Sequence, residues 1–150
     1  MKKIKKSVLF ICADQWRFDC FSFLNHEYAL TPNLDKLAKK SVIFKSHFAG
    51  IVPCGPSRTT MLTGLYPFIH RSVYNGAPLD KRFTNIAKEA RKLDYNPSLY
   101  GYTDTSWDPR YLDPKDEKNF TYESPMEGFD DGCVLPGGKP EPWANHLNQN

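Results

Sequence analysis

An α/β fold with a mostly parallel sheet and flanking helices is the class this sequence predicts, as an incomplete N-terminal part of such a fold. Three observations carry that expectation. Residues 8–13 form an unbroken apolar run of the kind found in strands covered on both faces. Helix-period stretches occur at 31–38, 57–64 and 83–93. Further strand-like runs lie at 41–48, between the first two, and at 97–103, after the last, and strands alternating with helices favour parallel pairing, because a parallel return needs a crossover.

Taken in order, the first strand is Val8-Leu9-Phe10-Ile11-Cys12-Ala13, which ends at Asp14-Gln15. Both polar side chains then sit at a strand's carboxyl end, the edge where open α/β sheets bind ligands. A helix opens at Thr31, with Thr31 as N-cap, Pro32 at the first helical position, and Leu34, Leu37 and Ala38 on one face. Ser41–Phe48 alternates as a second strand. Gly50–Pro56 is a turn-rich loop, and Ser57–Thr63 gives one or two helical turns closed by Gly64. Ile86, Ala87, Ala90 and Leu93 share a face in the next helix, and Pro97–Thr103 is a short third strand. Beyond Thr105 the chain turns Pro- and Gly-rich, with turns expected at Asp130-Asp131-Gly132 and Pro136-Gly137-Gly138 and no element before Asn150. Residues 1–105 thus read as an α/β core segment and 106–150 as an irregular one.

The 150 residues are 40% hydrophobic and carry a net charge of +3, enough for one core and too little positive excess to imply nucleic acid. The lysines at 2, 3, 5 and 6 read as a solvated start. The apolar run after them is too short for a membrane span, and no small-residue cleavage site follows, so no membrane partner and a cytoplasmic location are expected. The four cysteines show neither zinc-ligand nor disulfide spacing, and Cys12, Cys20 and Cys133 read as small buried hydrophobes.

Cys54 reads differently. In Cys54-Gly55-Pro56-Ser57-Arg58 a nucleophile stands at the first turn of a helix, where the dipole and free N–H groups favour a thiolate or alkoxide and an incoming oxyanion. Arg58, four residues on, projects from the same face as a forked donor. The plain alternative is an unmodified cysteine in a loop. Asp14, read alone, serves equally as a turn or helix cap and as a metal ligand. Asn75-Gly76 has the form of an ordinary turn, Tyr102 could simply close a strand by packing, and His47 and His70 read as structural. Trp107, Trp143 and Tyr111 could line a pocket or cover surface.

The Cys54–Arg58 segment resembles the C-x-P-S-R signature of type I sulfatases, members of the alkaline phosphatase superfamily, and Thr63-Gly64-Leu65-Tyr66-Pro67 resembles the stretch that follows it there. The similarity extends to the strand ending in Asp14 and to Thr31–Ala38. It implies an alkaline phosphatase-like fold and hydrolysis of sulfate, phosphate or phosphonate esters of small molecules. It further implies conversion of Cys54 to formylglycine by a formylglycine-generating enzyme, and a divalent metal ion, calcium or manganese. Asp14 and the hydrated Cys54 would be metal ligands, with Cys54 and Arg58 catalytic. Gln15, Asn75 and Tyr102 would bind substrate, and these three resemble the phosphonate monoester hydrolase branch. Asp104 departs from that branch, which leads one to expect threonine or histidine. The family's remaining metal ligands lie far downstream, so this polypeptide reads as a fragment, marginally stable and inactive alone; a homo-oligomer is compatible with the complete enzyme. The rival reading is a non-catalytic remnant or interaction module of the same fold.

Overall fold

The computed structural model describes residues 6–121, 125–135 and 139–149, in two compact units, residues 1–47 and 48–150. In the first, Trp16, Phe21 and Phe23 stack in series with ring centroids 5.3 and 5.0 Å apart. A 3-10 turn at Ser22–Leu24 faces helix α1 (Pro32–Ala38). Pro32 takes the first helical position as expected, but Thr31 does not cap the helix with its side chain. Its hydroxyl instead accepts the Ser22 N–H at 3.0 Å, while the Ser22 hydroxyl accepts the Thr31 N–H at 2.9 Å and donates to Asp35. The reciprocal pair satisfies two backbone donors at once, which explains why the cap is given up.

Neither strand expected in this part of the chain forms. Val8–Ala13 and Ser41–Phe48 have no regular structure, and Val8 is 83% and Phe44 78% exposed. An apolar, β-branched run favours a strand only where a neighbour completes its ladder. Among the described residues none pairs with either run.

The second unit contains α2 (Cys54–Thr63), α3 (Pro67–His70), α4 (Ile86–Lys92), β1 (Ser98–Gly101), β2 (Asp130–Val134) and α5 (Glu141–Gln149). The two strands pair in parallel, Ser98 opposite Asp130 and Gly101 opposite Val134, with an irregularity between Leu99 and Tyr100. The α/β class therefore holds, as helices around a small parallel sheet. Helix α2 begins three residues earlier than the sequence suggested. Pro56 lies in its first turn, where no N–H is required, and Ser57 N donates to Pro53 O at 3.1 Å. Gly64 ends it with φ +70°, as expected of a C-terminal glycine.

Helix α4 is held at its start by Asn85, whose Oδ1 accepts the N–H groups of Ala87 and Lys88, both at 3.0 Å, while its Nδ2 donates to Glu127 O at 2.8 Å. Lys88 pairs with Glu127 at 2.7 Å and Arg91 with Asp130 at 2.6 Å, tying α4 to the segment that enters β2. The Asp130-Asp131-Gly132 turn is thus corrected to a strand, stabilised by its ladder with β1. Residues 141–149 are corrected to a helix, with Pro142 tolerated in its first turn. His146 packs between Trp143 and Tyr100, 5.6 Å from each ring. The Pro136-Gly137-Gly138 turn lies outside the described residues. Cys133 is buried as expected, whereas Cys12 is exposed and Cys20 half-buried, because the runs that would have covered them are open.

Candidate active site

The buried interior of the second unit is unusually polar. Thr59, His70, Ser72, Asn85, Thr103, Asp104, Thr105 and Asp108 are all buried, against few apolar side chains such as Ala77, Ala87 and Met126. Burying such groups is costly unless they are paired, and among the described residues Thr59 Oγ1, Ser72 Oγ and Asp104 Oδ2 have no hydrogen-bond partner.

At its edge stands Cys54, half-buried at the first position of α2. The Asn75 amide spans the helix start: its Nδ2 donates to Cys54 Sγ at 3.2 Å and its Oδ1 accepts the Gly55 N–H at 2.8 Å. Asn75 is therefore more than a turn residue, and its orientation is set by a backbone donor. Gly55 permits the approach. A Cβ there would lie 2.7 Å from Asp104 O and 3.0 Å from Asn75 Cα, so any side chain would push the two loops away from the helix.

Arg58 runs behind the nucleophile. Its Nη1 donates to Tyr102 O at 2.6 Å, its guanidinium carbon lies 4.3 Å from the Tyr102 ring centroid, and its Nε faces Asp104 Oδ2 at 3.5 Å. Both side chains of this ion pair are about nine-tenths buried (11% and 7% exposed). The structure thus brings together Cys54, Arg58, Asn75 and Tyr102, four of the six residues singled out in the sequence, and adds Gly55 and Asp104. Spacing within the motif could have suggested Gly55, since a residue beside a helix-start nucleophile must let partners approach. No local signal indicates that Asp104 meets Arg58.

Two loops carry Asn75 and Tyr102, and several contacts join them. Gly76 N donates to Asp104 O at 2.9 Å, Ser106 Oγ donates to Gly76 O at 2.8 Å, and Pro78 bridges Ser106 in parallel. Arg110 fastens the far side, reaching Asp80 at 3.0 Å and Asp108 at 2.5 Å. Its guanidinium holds the Asp108 carboxyl below the usual carboxylate range. His70 has the structural role expected of it. Its Nδ1 accepts the Ser72 N–H at 3.0 Å, leaving Nε2 protonated to donate to Thr60 Oγ1 at 2.9 Å, and Thr60 in turn donates to Pro56 O at 3.0 Å. Burial pushes the His70 pKa down, so the ring is held neutral. His47 lies exposed at the end of the first unit.

Asp14 and Gln15 belong to the first unit, where they form an exposed turn, and Gln15 adopts a left-handed φ of +54°. That conformation is uncommon outside glycine. Among the described residues no group of three or more His, Cys, Asp or Glu side chains is placed to hold a metal ion. The exposed Asp14 carboxylate is the kind of oxygen ligand that a hard cation takes. A cavity of about 90 Å³ is lined by Trp107, Tyr111, Met126 and Lys88 among others; Trp107 and Tyr111 thus line a pocket, and Cys54 is not part of its wall. No helix among the described residues is long and apolar enough to cross a membrane.

The family model described as Sulfatase matches residues 6–139. The multifunctional alkaline phosphatase superfamily protein PehA of Trinickia caryophylli is 42% identical over 83% of this chain, which spans 25% of that protein. The phosphonate monoester hydrolase of Silicibacter pomeroyi superposes with a TM-score of 0.86 and 45% identity over 97% of this chain and 29% of its own. That of Agrobacterium radiobacter does so with a TM-score of 0.83 and 47% identity over 91% and 27%. The chain thus spans about a quarter of the length of the relatives it matches.

Proposed function

Since the chain belongs to the sulfatase family, we propose that it supplies the nucleophile-bearing part of a hydrolase that prefers phosphonate monoesters and phosphodiesters to sulfate esters. One observation carries the reading: the Asn75 amide donates to Cys54 Sγ at the start of α2, with the Arg58 guanidinium lying over the Tyr102 ring behind it. The carboxamide beside the nucleophile is a neutral donor that matches the nonbridging oxygens of a singly charged ester, and Tyr102, the other expected substrate-binding side chain, is a neutral phenol. The solved phosphonate monoester hydrolases that this chain resembles support the same choice.

In this reading a formylglycine-generating enzyme supplies the two-electron oxidant that converts Cys54 to formylglycine, the sulfur leaving as sulfide, and water adds to the aldehyde to give a gem-diol. One hydroxyl, losing its proton, attacks phosphorus and the ester's alkoxide or phenoxide departs. The second hydroxyl then loses its proton, the aldehyde C=O re-forms, the bond to the phosphoryl oxygen breaks, and water restores the diol. Asn75 Nδ2 donates to the attacking or nonbridging oxygen, while Oδ1 stays on Gly55 N and fixes the amide's direction. Arg58, oriented by Tyr102 and Asp104, stabilises the charge that accumulates in the transition state. A divalent cation, calcium or manganese, would take Asp14 and the hydrated residue 54 among its oxygen ligands and would supply Lewis acidity.

The test has two readouts. After co-expression with a formylglycine-generating enzyme, the peptide carrying residue 54 should lose one hydrogen sulfide and gain one oxygen by mass spectrometry. The complete enzyme should then show a higher kcat/KM for a phenyl phosphonate ester than for an aryl sulfate. An unmodified thiol, or a sulfate preference above roughly a hundredfold (about 2.7 kcal/mol), would overturn the reading.

A further inference from the structure

The cavity beside Trp107 is walled by the second unit alone: the loop at residues 79–83, the start of α4, the segment at 106–112 and the approach to β2. Two polar groups on its wall lack a counterpart. Trp107 Nε1 is buried and has no hydrogen-bond acceptor among the described residues, and an unmet indole N–H inside a protein is costly. Lys81 makes no ion pair among the described residues, and its ammonium lies 5.1 Å from the Tyr111 ring centroid. The carboxylates and the amide on the same wall are, by contrast, already engaged. Asp80 and Asp108 are held by Arg110 at 3.0 and 2.5 Å, and Glu127 by Lys88 at 2.7 Å. Asn85 Oδ1 accepts the N–H groups of Ala87 and Lys88. A cavity with two unmet donors and paired carboxylates takes an acceptor, preferably an anion, and disfavours a cation.

Size and the rest of the lining narrow the class. The volume of about 90 Å³ is the share of about three waters at ~30 Å³ each, room for a molecule of about four or five heavy atoms. Phe83, Leu112 and Met126 supply apolar wall, which would strand the outer oxygens of an inorganic oxyanion without donors but suits an alkyl group. Lys118 Nζ, 4.3 Å from the Trp107 ring centroid, adds a second positive charge near the indole. We propose that this cavity binds a short aliphatic monocarboxylate, of the size of acetate or propionate. Its carboxylate accepts the Trp107 N–H and faces Lys81, and its alkyl end meets the wall of Phe83, Leu112 and Met126. Cys54, Arg58, Asn75 and Tyr102 do not line the cavity, so the inference stands apart from the hydrolase reading given above.

The test follows the indole itself. In the full-length protein carrying isotope-labelled tryptophan, the Trp107 indole N–H resonance is identified by its loss in Trp107→Phe, which keeps an aromatic ring and removes the donor. Sodium propionate should shift that resonance saturably, with a Kd on the order of 1 mM, within reach of so few atoms. The Trp16 and Trp143 indoles should stay in place. Propionamide, the neutral isostere, should bind at least tenfold more weakly, and the ethylammonium cation should not bind. Lys81→Gln alters an exposed side chain and leaves the indole as reporter. It should weaken propionate about tenfold, about 1.4 kcal/mol, and change propionamide little. A Trp107 resonance that stays still at tens of millimolar propionate, or that moves as far with sodium chloride, would overturn the proposal and leave the cavity to water. Equal affinities for propionate and propionamide, unchanged in Lys81→Gln, would overturn the choice of an anion.

Discussion

Replacing Gly55 by alanine asks whether the site is built on backbone approach or on side-chain contacts alone. The added Cβ would stand 2.7 Å from Asp104 O, 3.0 Å from Asn75 Cα and 3.1 Å from Asn75 Oδ1. Two of these neighbours are backbone atoms and cannot rotate away, so the helix start and the two loops must separate by several tenths of an ångström. Overpacking of that kind costs about 1–3 kcal/mol. The displacement also loosens the Gly55–Asn75 and Asn75–Cys54 hydrogen bonds, now 2.8 and 3.2 Å, each contributing about 1 kcal/mol net. The expected loss is therefore about 2–4 kcal/mol of stability, read by urea unfolding. Alkylation of Cys54 by iodoacetamide should accelerate as its cover withdraws. Gly64→Ala is an instructive companion, because nothing lies within 4 Å of its Cβ and its φ of +70° is the sole obstacle. It should cost about 1 kcal/mol. A Gly55→Ala protein within about 0.5 kcal/mol of wild type, with unchanged Cys54 reactivity, would refute the argument from close approach.

Two further outcomes follow from the interior of the same unit. Asn85→Ala removes the cap of α4 and leaves Glu127 O without its donor, so it should destabilise by about 2–3 kcal/mol in denaturant titration; Asn85→Asp, which retains the cap acceptor, should lose less. His70 is held neutral by burial, with a pKa below the ordinary 6.5, while the unfolded chain takes up its proton near that value. The unfolded state thus binds more protons below pH 6.5, stability should fall as the pH drops through that range, and His70→Gln should flatten that part of a melting-temperature profile.

What could be read in the sequence was whatever is decided within a few residues. The α2 helix was legible from Ser57 to its end at Gly64, whereas its first turn, Cys54–Pro56, reads as loop because of Gly55 and Pro56. The α4 helix was legible from the spacing of Ile86, Ala87, Ala90 and Leu93, but not the face it buries, since Ala87 is buried while Ile86 and Leu93 are 55% and 66% exposed, nor Asn85 as its cap. Helix α5 was missed through attention to Pro140 and Pro142. Yet Trp143, His146 and Leu147 stand at i, i+3 and i+4, and a proline in the first turn is no obstacle. Phe44 and Ile86 face water, at 78% and 55% exposure, while Leu62 is half-buried.

The strands separate the two kinds of information more sharply. Val8–Ala13 has the stronger β composition, yet β1 forms from Ser98-Leu99-Tyr100-Gly101, which carries a glycine and a serine. The difference is not propensity but partnership: β1 has Asp130–Val134 beside it, and α4 is pinned across the gap by Lys88–Glu127 and Arg91–Asp130. An apolar run states that a segment is suited to burial; it does not state what will bury it. The same distinction divides the site. Cys54 and Arg58 are placed by one helix and could be named from the motif. Asp104 reaches Arg58 because Gly76, Pro78 and Ser106 zip two loops together and Gly55 lets them close on the helix, a chain of contacts spanning some fifty residues of sequence. Asp104 could be seen in the sequence only as a departure from a family pattern. Its meaning, a buried carboxyl group set against the site's arginine, is a property of the fold.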